Sequence, residues 1–231
     1  MASFEQLEEK LNHHFATPDL LRQALVHRSY LNENPDFPLG HNERLEYLGD
    51  AVLELVVSDH LYTHYPNPEG DLTNWRASVV NAKSLSEVAK EIELDEWLMM
   101  SRGESRDKLS KARQNIHANA IEAIIGALYL DAGIEPARAF IAEHILSKLP
   151  NILANELYVD PKSKFQEMAQ EVVGITPGYK VLKEWGPDHD KHFQVGVYLG
   201  GEEIAIGEGA SKQEAQVAAA YNGLVAKGWN T

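Results

Sequence analysis

The sequence predicts an all-helical domain of about 150 residues followed by a small α+β module. Helical spacing of apolar residues dominates the first part, and no convincing β-alternation appears before residue 170. The chain changes character at Tyr158-Val159-Asp160-Pro161-Lys162. Beyond that point three strand-like runs lie between two helices, the order α-β-β-β-α. These observations divide the chain into residues 1–157 and 158–231.

In order, residues 3–15, 18–31, 42–65, 71–79, 82–93, 95–101, 108–131 and 135–155 are expected as helices. Thr17-Pro18, Ser101-Arg102-Gly103, the stretch from Pro66 to Gly70, and Gly133 with Pro136 mark the breaks. Asn32 to Gly40 is a loop feeding the helix that begins at residue 42. In the module, Pro161 to Val173 is expected as a helix and Gly178–Trp185, His192–Leu199 and Glu203–Gly209 as strands. Gly200-Gly201 is a two-residue hairpin signal. Ser211, with Glu214 three residues on, is a capping box opening the last helix.

Composition bounds the function. At 231 residues with 44% apolar side chains the chain can bury a real core. It has no cysteine, which excludes disulfides and thiolate zinc sites. No apolar run approaches the roughly 18 residues of a membrane span, so a cytoplasmic protein with no membrane partner is expected. There is no GxxxxGK loop and no GxSxG elbow, which argues against a nucleotide cofactor and a serine hydrolase. The formal net charge is −14. Up to residue 159 there are 14 basic and 25 acidic residues, and beyond it 7 and 10. Any nucleic-acid contact must therefore come from local clusters and fixed dipoles.

The helix over 42–65 concentrates the chemistry. Leu45, Leu48, Val52 and Leu55 form an expected core stripe. Beside it Glu43, Glu46, Asp50 and Glu54 recur at spacings of 3, 4 and 4, stacking their carboxylates on one face. Such like-charge pairs cost about 0.2–0.5 kcal/mol each on an exposed helix. The face is either fully solvated or filled by a cation. A second helix supplies Asn119 and Glu122 on one face, with small residues Ala118, Ala123, Gly126 and Ala127 allowing close approach. Facing one another, the two helices would pool oxygens from Glu46, Asp50, Asn119 and Glu122, a donor set suited to Mg²⁺ or Mn²⁺. A di-iron bundle would need Glu-x-x-His pairs, and none occurs.

HNERLEYLGDAVLE closely resembles the signature helix of the ribonuclease III family. PEGDLTNWRASVVN and NIHANAIEAIIGALYLDAG resemble that family's connecting and second metal-ligand segments. The stretch from DPKSKFQEMAQ to GEGASKQEAQVAAA is similar to its double-stranded-RNA-binding domain. The resemblance spans about residues 4 to 228. It implies a homodimeric, Mg²⁺-dependent endonuclease, with Mn²⁺ able to substitute, acting in RNA processing. Both strands of duplex RNA would be hydrolysed to 5′-phosphate and 3′-hydroxyl ends with a short 3′ overhang.

By the same resemblance Glu46, Asp50 and Glu122 match catalytic and metal-binding carboxylates, with Asp50 and Glu122 the most indispensable. Glu43 and Glu69 match auxiliary acidic positions, or are solvated carboxylates. Tyr47 matches an aromatic that packs into a partner subunit, or is a core tyrosine. His117 is a partly exposed bystander or a proton-transfer group. In the RNA-binding module Gln166 and Glu167 would contact one minor groove, His189 the next, and Lys212 the phosphates between. Two positions depart from the family pattern. Asn119 stands where Asp is usual, which removes a charge from the site and leaves a catalytically impaired duplex-RNA-binding dimer as an alternative. Gln213 stands where a second lysine is common.

Overall fold

The computed structural model describes residues 3–106, 110–155, 158, 160–187 and 191–229. The chain forms two compact units, Met1–Tyr158 and Val159–Thr231. Unit one is helical: α1 (Phe4–Lys10), α2 (Pro18–Ala24), α3 (Arg28–Glu33), α4 (Glu43–His64), α5 (Glu69–Val79), α6 (Ala82–Glu91), α7 (Arg102–Arg106), α8 (Lys111–Ala132), α9 (Ile134–His144) and α10 (Leu149–Ala154). Short 3-10 turns sit at Leu94–Glu96 and Leu146–Lys148. No helix among the described residues is long and apolar enough to cross a membrane.

The core is built around α8, which packs against α2, α4, α6 and α9. Ile121, Ile124, Ile125 and Leu128 are fully buried, and the small Ala118, Ala120, Ala123 and Ala127 fill the remaining sides. Its first turn is held by Ser110, whose side chain accepts from the Arg113 amide. The start of α4 is fixed differently. Buried Asn42 makes no side-chain cap; its Nδ2 donates to the Ala24 carbonyl and its backbone N–H to the Val26 carbonyl. The acidic first turn of α4 is thereby tied to the end of α2.

Several expected helices are shorter or split. The segment 18–31 breaks into α2 and α3 because Val26 forms a parallel bridge with Met99. Met99 donates to the Leu25 carbonyl and His27 to the Met99 carbonyl. The same pairing takes Met99 into the bridge, so the expected helix over 95–101 is reduced to the 3-10 turn at Leu94–Glu96. The expected helices over 3–15 and 135–155 stop at Lys10 and His144, the latter resuming as a 3-10 turn and α10. The core stripe of α4 also needs correction. Leu45 and Val52 are buried, but Leu55 is 61% exposed, and Gly49, Leu53, Val56, Val57 and Leu61 complete the inward face.

Unit two runs α11 (Pro161–Val173), β1 (Gly178–Trp185), β2 (His192–Leu199), β3 (Glu202–Gly209) and α12 (Lys212–Lys227). The sheet is antiparallel in the order β1-β2-β3. Gly200 adopts φ +62° in the two-residue turn before Glu202, a conformation that favours glycine. The helices cover one sheet face, where Phe165, Val195, Val197, Ala219 and Leu224 form the core. Gly207 lets α12 lie on β3, since a Cβ there would fall 2.0 Å from the Ala219 nitrogen. Ser211 caps α12 by accepting from the Glu214 amide, while the Glu214 carboxylate accepts from Ala210 rather than from Ser211.

Candidate active site and nucleic-acid interface

The first candidate site lies where α4 crosses α8, and two glycines make that crossing possible. A Cβ on Gly49 would sit 1.7 Å from the Glu122 carbonyl oxygen, and one on Gly126 would sit 2.3 Å from the Leu45 carbonyl oxygen. The two backbones therefore touch, and side chains one turn away on either helix face each other. Gly126 belongs to the small-residue set expected on α8. Gly49 lies outside the expected small-residue set, although a glycine inside a helix costs about 1 kcal/mol relative to alanine. That cost marks a position chosen for close approach.

The crossing brings Glu46, Asp50, Asn119 and Glu122 into electrostatic contact. Burial and the nearby Asp50 and Glu46 carboxylates push Glu122 up to about 7. Glu46 is also raised, by burial first and then by Glu43 and Asp50, while hydrogen bonding with Asn119 and the nearby His41 act the other way. The Glu46 Oε2 atom is buried with no hydrogen-bond partner. Among the described residues no group of three or more histidines and carboxylates is drawn together tightly enough to hold a metal as it stands. Even so, an orphaned carboxylate oxygen beside a carboxyl held near neutrality fits a cation that would compensate both.

The other acidic candidates separate. Glu43, the first residue of α4, is exposed between Arg28 at 3.4 Å and His41 at 3.7 Å. Glu54 leaves the expected carboxylate face for a 2.8 Å ion pair with Arg76 of α5, and Arg76 also donates to Ser58. Glu69 is exposed at the start of α5 and accepts from the Thr73 hydroxyl. Tyr47 is 82% exposed, which rules out a core tyrosine within this chain.

His117 is not partly exposed. It is 2% exposed, with Nδ1 3.2 Å from the Ser86 hydroxyl and Nε2 2.6 Å from Asp95 Oδ1. Buried Arg113 donates to the same Asp95 oxygen at 2.8 Å. Despite burial, these partners hold the Asp95 carboxyl below its usual range. The group ties α6, α8 and the turn at Leu94–Glu96 together, with His117 and Arg113 buried against the more exposed Asp95 and only the Arg113 Nε left without a partner among these contacts.

In unit two Gln166 and Glu167 are exposed on α11. Lys212 is exposed as the first residue of α12, with its ammonium 5.6 Å from the Phe193 ring centroid. The orphan N–H groups of that helix end favour anions beside it. His189 lies outside the described residues.

Fold and cleft define a class: a helical domain with an acidic inter-helix cleft, followed by an α-β-β-β-α module. The family model described as Ribonuclease-III-like matches residues 17–149, and that of the double-stranded RNA binding motif matches residues 161–225. The Ribonuclease 3 of Desulforamulus reducens is 44% identical over 216 residues, covering 93% of this chain and 87% of that protein. That of Carboxydothermus hydrogenoformans is 43% identical over 219 residues, covering 94% and 93%. The nuclease domain of the Campylobacter jejuni enzyme superposes with a TM-score of 0.57 at 38% identity, covering 64% of this chain and 99% of that one. The chain belongs to the ribonuclease III family. It is an endoribonuclease carrying a double-stranded-RNA-binding domain, and the family is metal-dependent in general. No finding favours the catalytically impaired alternative.

Proposed function

We propose that Glu46, Asp50, Asn119 and Glu122 hold Mg²⁺, with Mn²⁺ as a substitute, and that this site hydrolyses both strands of duplex RNA. The observation that supports the reading most is Glu122, a carboxyl pushed up to about 7 by burial and then by Asp50 and Glu46, beside the unpartnered Glu46 oxygen. A bound divalent ion supplies Lewis acidity at a phosphodiester oxygen and a lowered pKa for water. Asp50 and Glu122 orient the attacking water, while Glu46 and the Asn119 amide oxygen complete the donor set. Water adds to phosphorus and the bond from phosphorus to the 3′ oxygen breaks. That oxygen leaves as a hydroxyl, and the phosphate remains on the 5′ side of the other fragment. Glu43 and Glu69 stand outside this inner set as auxiliary acidic groups.

Gln166, Glu167, His189 and Lys212 hold the duplex through its minor grooves and phosphates. With Gln213 beside Lys212, the phosphate contact is weaker and less salt-sensitive than two lysines would give.

The nuclease unit acts as a homodimer in this reading. Tyr47, Leu55 and Tyr62 are 82%, 61% and 83% exposed and fall within about 80° around α4. A stripe of that size facing water needs a cover. The Campylobacter jejuni nuclease domain has a region involved in dimer formation. Tyr47→Asp combined with Leu55→Asp is expected to give a monomer by light scattering; a dimer that persists would contradict this assignment.

The site itself is tested by cleavage of a long duplex RNA across an Mg²⁺ titration, comparing the wild type with Asn119→Asp. A carboxylate at 119 restores one negative charge to the donor set and takes away the amide that favours the ionised form of Glu46. The expected result is cleavage by both, with the variant needing roughly tenfold less metal. An Asp variant that needs as much metal and cuts no faster would contradict the role given to Asn119. A wild type that leaves the duplex intact at every Mg²⁺ concentration would contradict the site.

A further inference from the structure

The sheet of unit two has a second face that the helices do not cover. Val195 and Val197 point into the core, so the alternate residues of β2 and their cross-strand partners point away. Lys183 pairs with Gln194, Gln194 with Glu208, and Trp185 with His192. Together Lys183, Glu184, Trp185, Gln194 and Glu208 line an open groove of about 490 Å³. That is the size of a small-ligand site and ample for a nucleobase.

The lining is chemically ordered. The Trp185 indole is 42% exposed and stacks on the His192 ring, with centroids 5.8 Å apart and planes 18° apart. It gives the groove a flat aromatic wall. The Gln194 amide donates to one oxygen of the exposed Glu208 at 2.8 Å, which holds the carboxylate and leaves it further acceptor capacity. Lys183 provides one cation at the rim. A second aromatic station follows along β2, where the Lys180 ammonium lies 4.8 Å from the Tyr198 ring centroid. Aromatic stations on an open antiparallel sheet suit unpaired bases, whose π-faces stack and whose edges are free for hydrogen bonding. A carboxylate oxygen accepts hydrogen bonds, so it selects a base edge that offers donors. Guanine presents two adjacent N–H donors on its Watson–Crick edge, whereas cytosine and uracil present fewer.

We propose that this outer sheet face binds single-stranded RNA, with a guanine stacked on Trp185 and read by Glu208. The face lies across the sheet from α11 and α12, which carry Gln166, Glu167 and Lys212. Unpaired and paired RNA are therefore held on separate surfaces of one module. Binding rests on stacking and a carboxylate, with Lys183 at the groove rim and Lys180 beside Tyr198 as the cations placed on this face. Its log–log salt slope is accordingly about −1.4 or shallower, at roughly −0.7 per phosphate neutralised on a single strand.

The test is fluorescence anisotropy of the full chain in EDTA, using a short unstructured alternating U–G oligoribonucleotide and its U–C counterpart. The expected result is tighter binding of the U–G strand, by roughly tenfold, with a shallow salt slope. Trp185→Ala weakens it roughly tenfold or more, the loss of one stacked base. Glu208→Gln, an exposed and near-isosteric change, removes the U–G preference without disturbing the fold. Both variants keep duplex RNA retention in a gel shift, whereas Lys212→Ala loses most duplex retention and keeps U–G binding. Equal binding of both strands, a steep salt slope, or wild-type binding by Trp185→Ala and Glu208→Gln would overturn the proposal. So would a groove that takes a peptide and leaves the U–G strand unbound.

Discussion

Gly49→Ala is expected to destabilise the nuclease unit by about 3 kcal/mol or more and to reduce duplex cleavage by roughly 100-fold or more. The added methyl would sit 1.7 Å from the Glu122 carbonyl oxygen, a backbone atom that cannot rotate away. Alanine's better helix propensity returns only about 1 kcal/mol, so overlap decides the sign. The helices must part by an ångström or more, which withdraws Glu46 and Asp50 from Asn119 and Glu122. Gly126→Ala acts on the same contact from the other side, against the Leu45 carbonyl. Gly70→Ala is the control: it lies in α5, and a Cβ there meets nothing within 4 Å. Denaturation midpoints and cleavage rates for the three variants check this. A Gly49→Ala protein as stable and active as Gly70→Ala would show that the crossing is not tight.

Glu122→Gln is expected to abolish cleavage, by roughly 1,000-fold or more, while stabilising the metal-free protein in alkaline solution. The folded-state value of about 7 lies above the ordinary 4.5. A carboxyl raised in this way contributes fully below pH 4.5, and that contribution is lost as pH rises through 7. Above 7 the ionised Glu122 opposes Asp50 and Glu46 in a half-buried cleft. Glutamine removes that charge, so the variant gains about 1–2 kcal/mol at pH 8 after allowance for solvent screening, and almost nothing at pH 4. Urea denaturation in EDTA at the two pH values measures the difference. A gain that is equal at both pH values would exclude charge repulsion as its source. Wild-type activity should rise with pH across 6 to 8, because Glu122 must lose its proton to serve as a ligand.

Much of this arrangement was legible in the residues themselves. Phe193, Val195, Val197 and Leu199 alternate so strictly that β2 was bounded correctly from local pattern alone. The Gly200-Gly201 turn then placed β3 to within one residue. The acidic spacing on α4 and the small residues on α8 anticipated a close, oxygen-lined crossing. What was not legible came from contacts distant in sequence. Nothing in Leu25-Val26-His27 announces a bridge to Met99, so the local pattern runs α2 and α3 together as one helix. The exposure of Leu55 is hidden in the sequence because an apolar residue at helical spacing reads the same whether it faces the core or the surface. Glu54 keeps the period of its acidic neighbours, yet Arg76 on the next helix draws it away. His117 follows the same logic: its partners Ser86 and Asp95 lie 31 and 22 residues away, which turns an apparent bystander into core. Gly49 was the missed local signal, a mid-helix glycine between two carboxylates.

The most direct test of the pooled-oxygen cleft is a calorimetric titration of Mn²⁺ into the RNA-free protein at pH 7, repeated in buffers of different ionisation enthalpy. A Glu122 value near 7 predicts release of about half a proton per cleft on binding. The same titration with Glu122→Gln should give much weaker binding and no proton release. Mn²⁺ bound equally well by both proteins, or not bound by the wild type at all, would contradict the assignment of these four side chains to the metal.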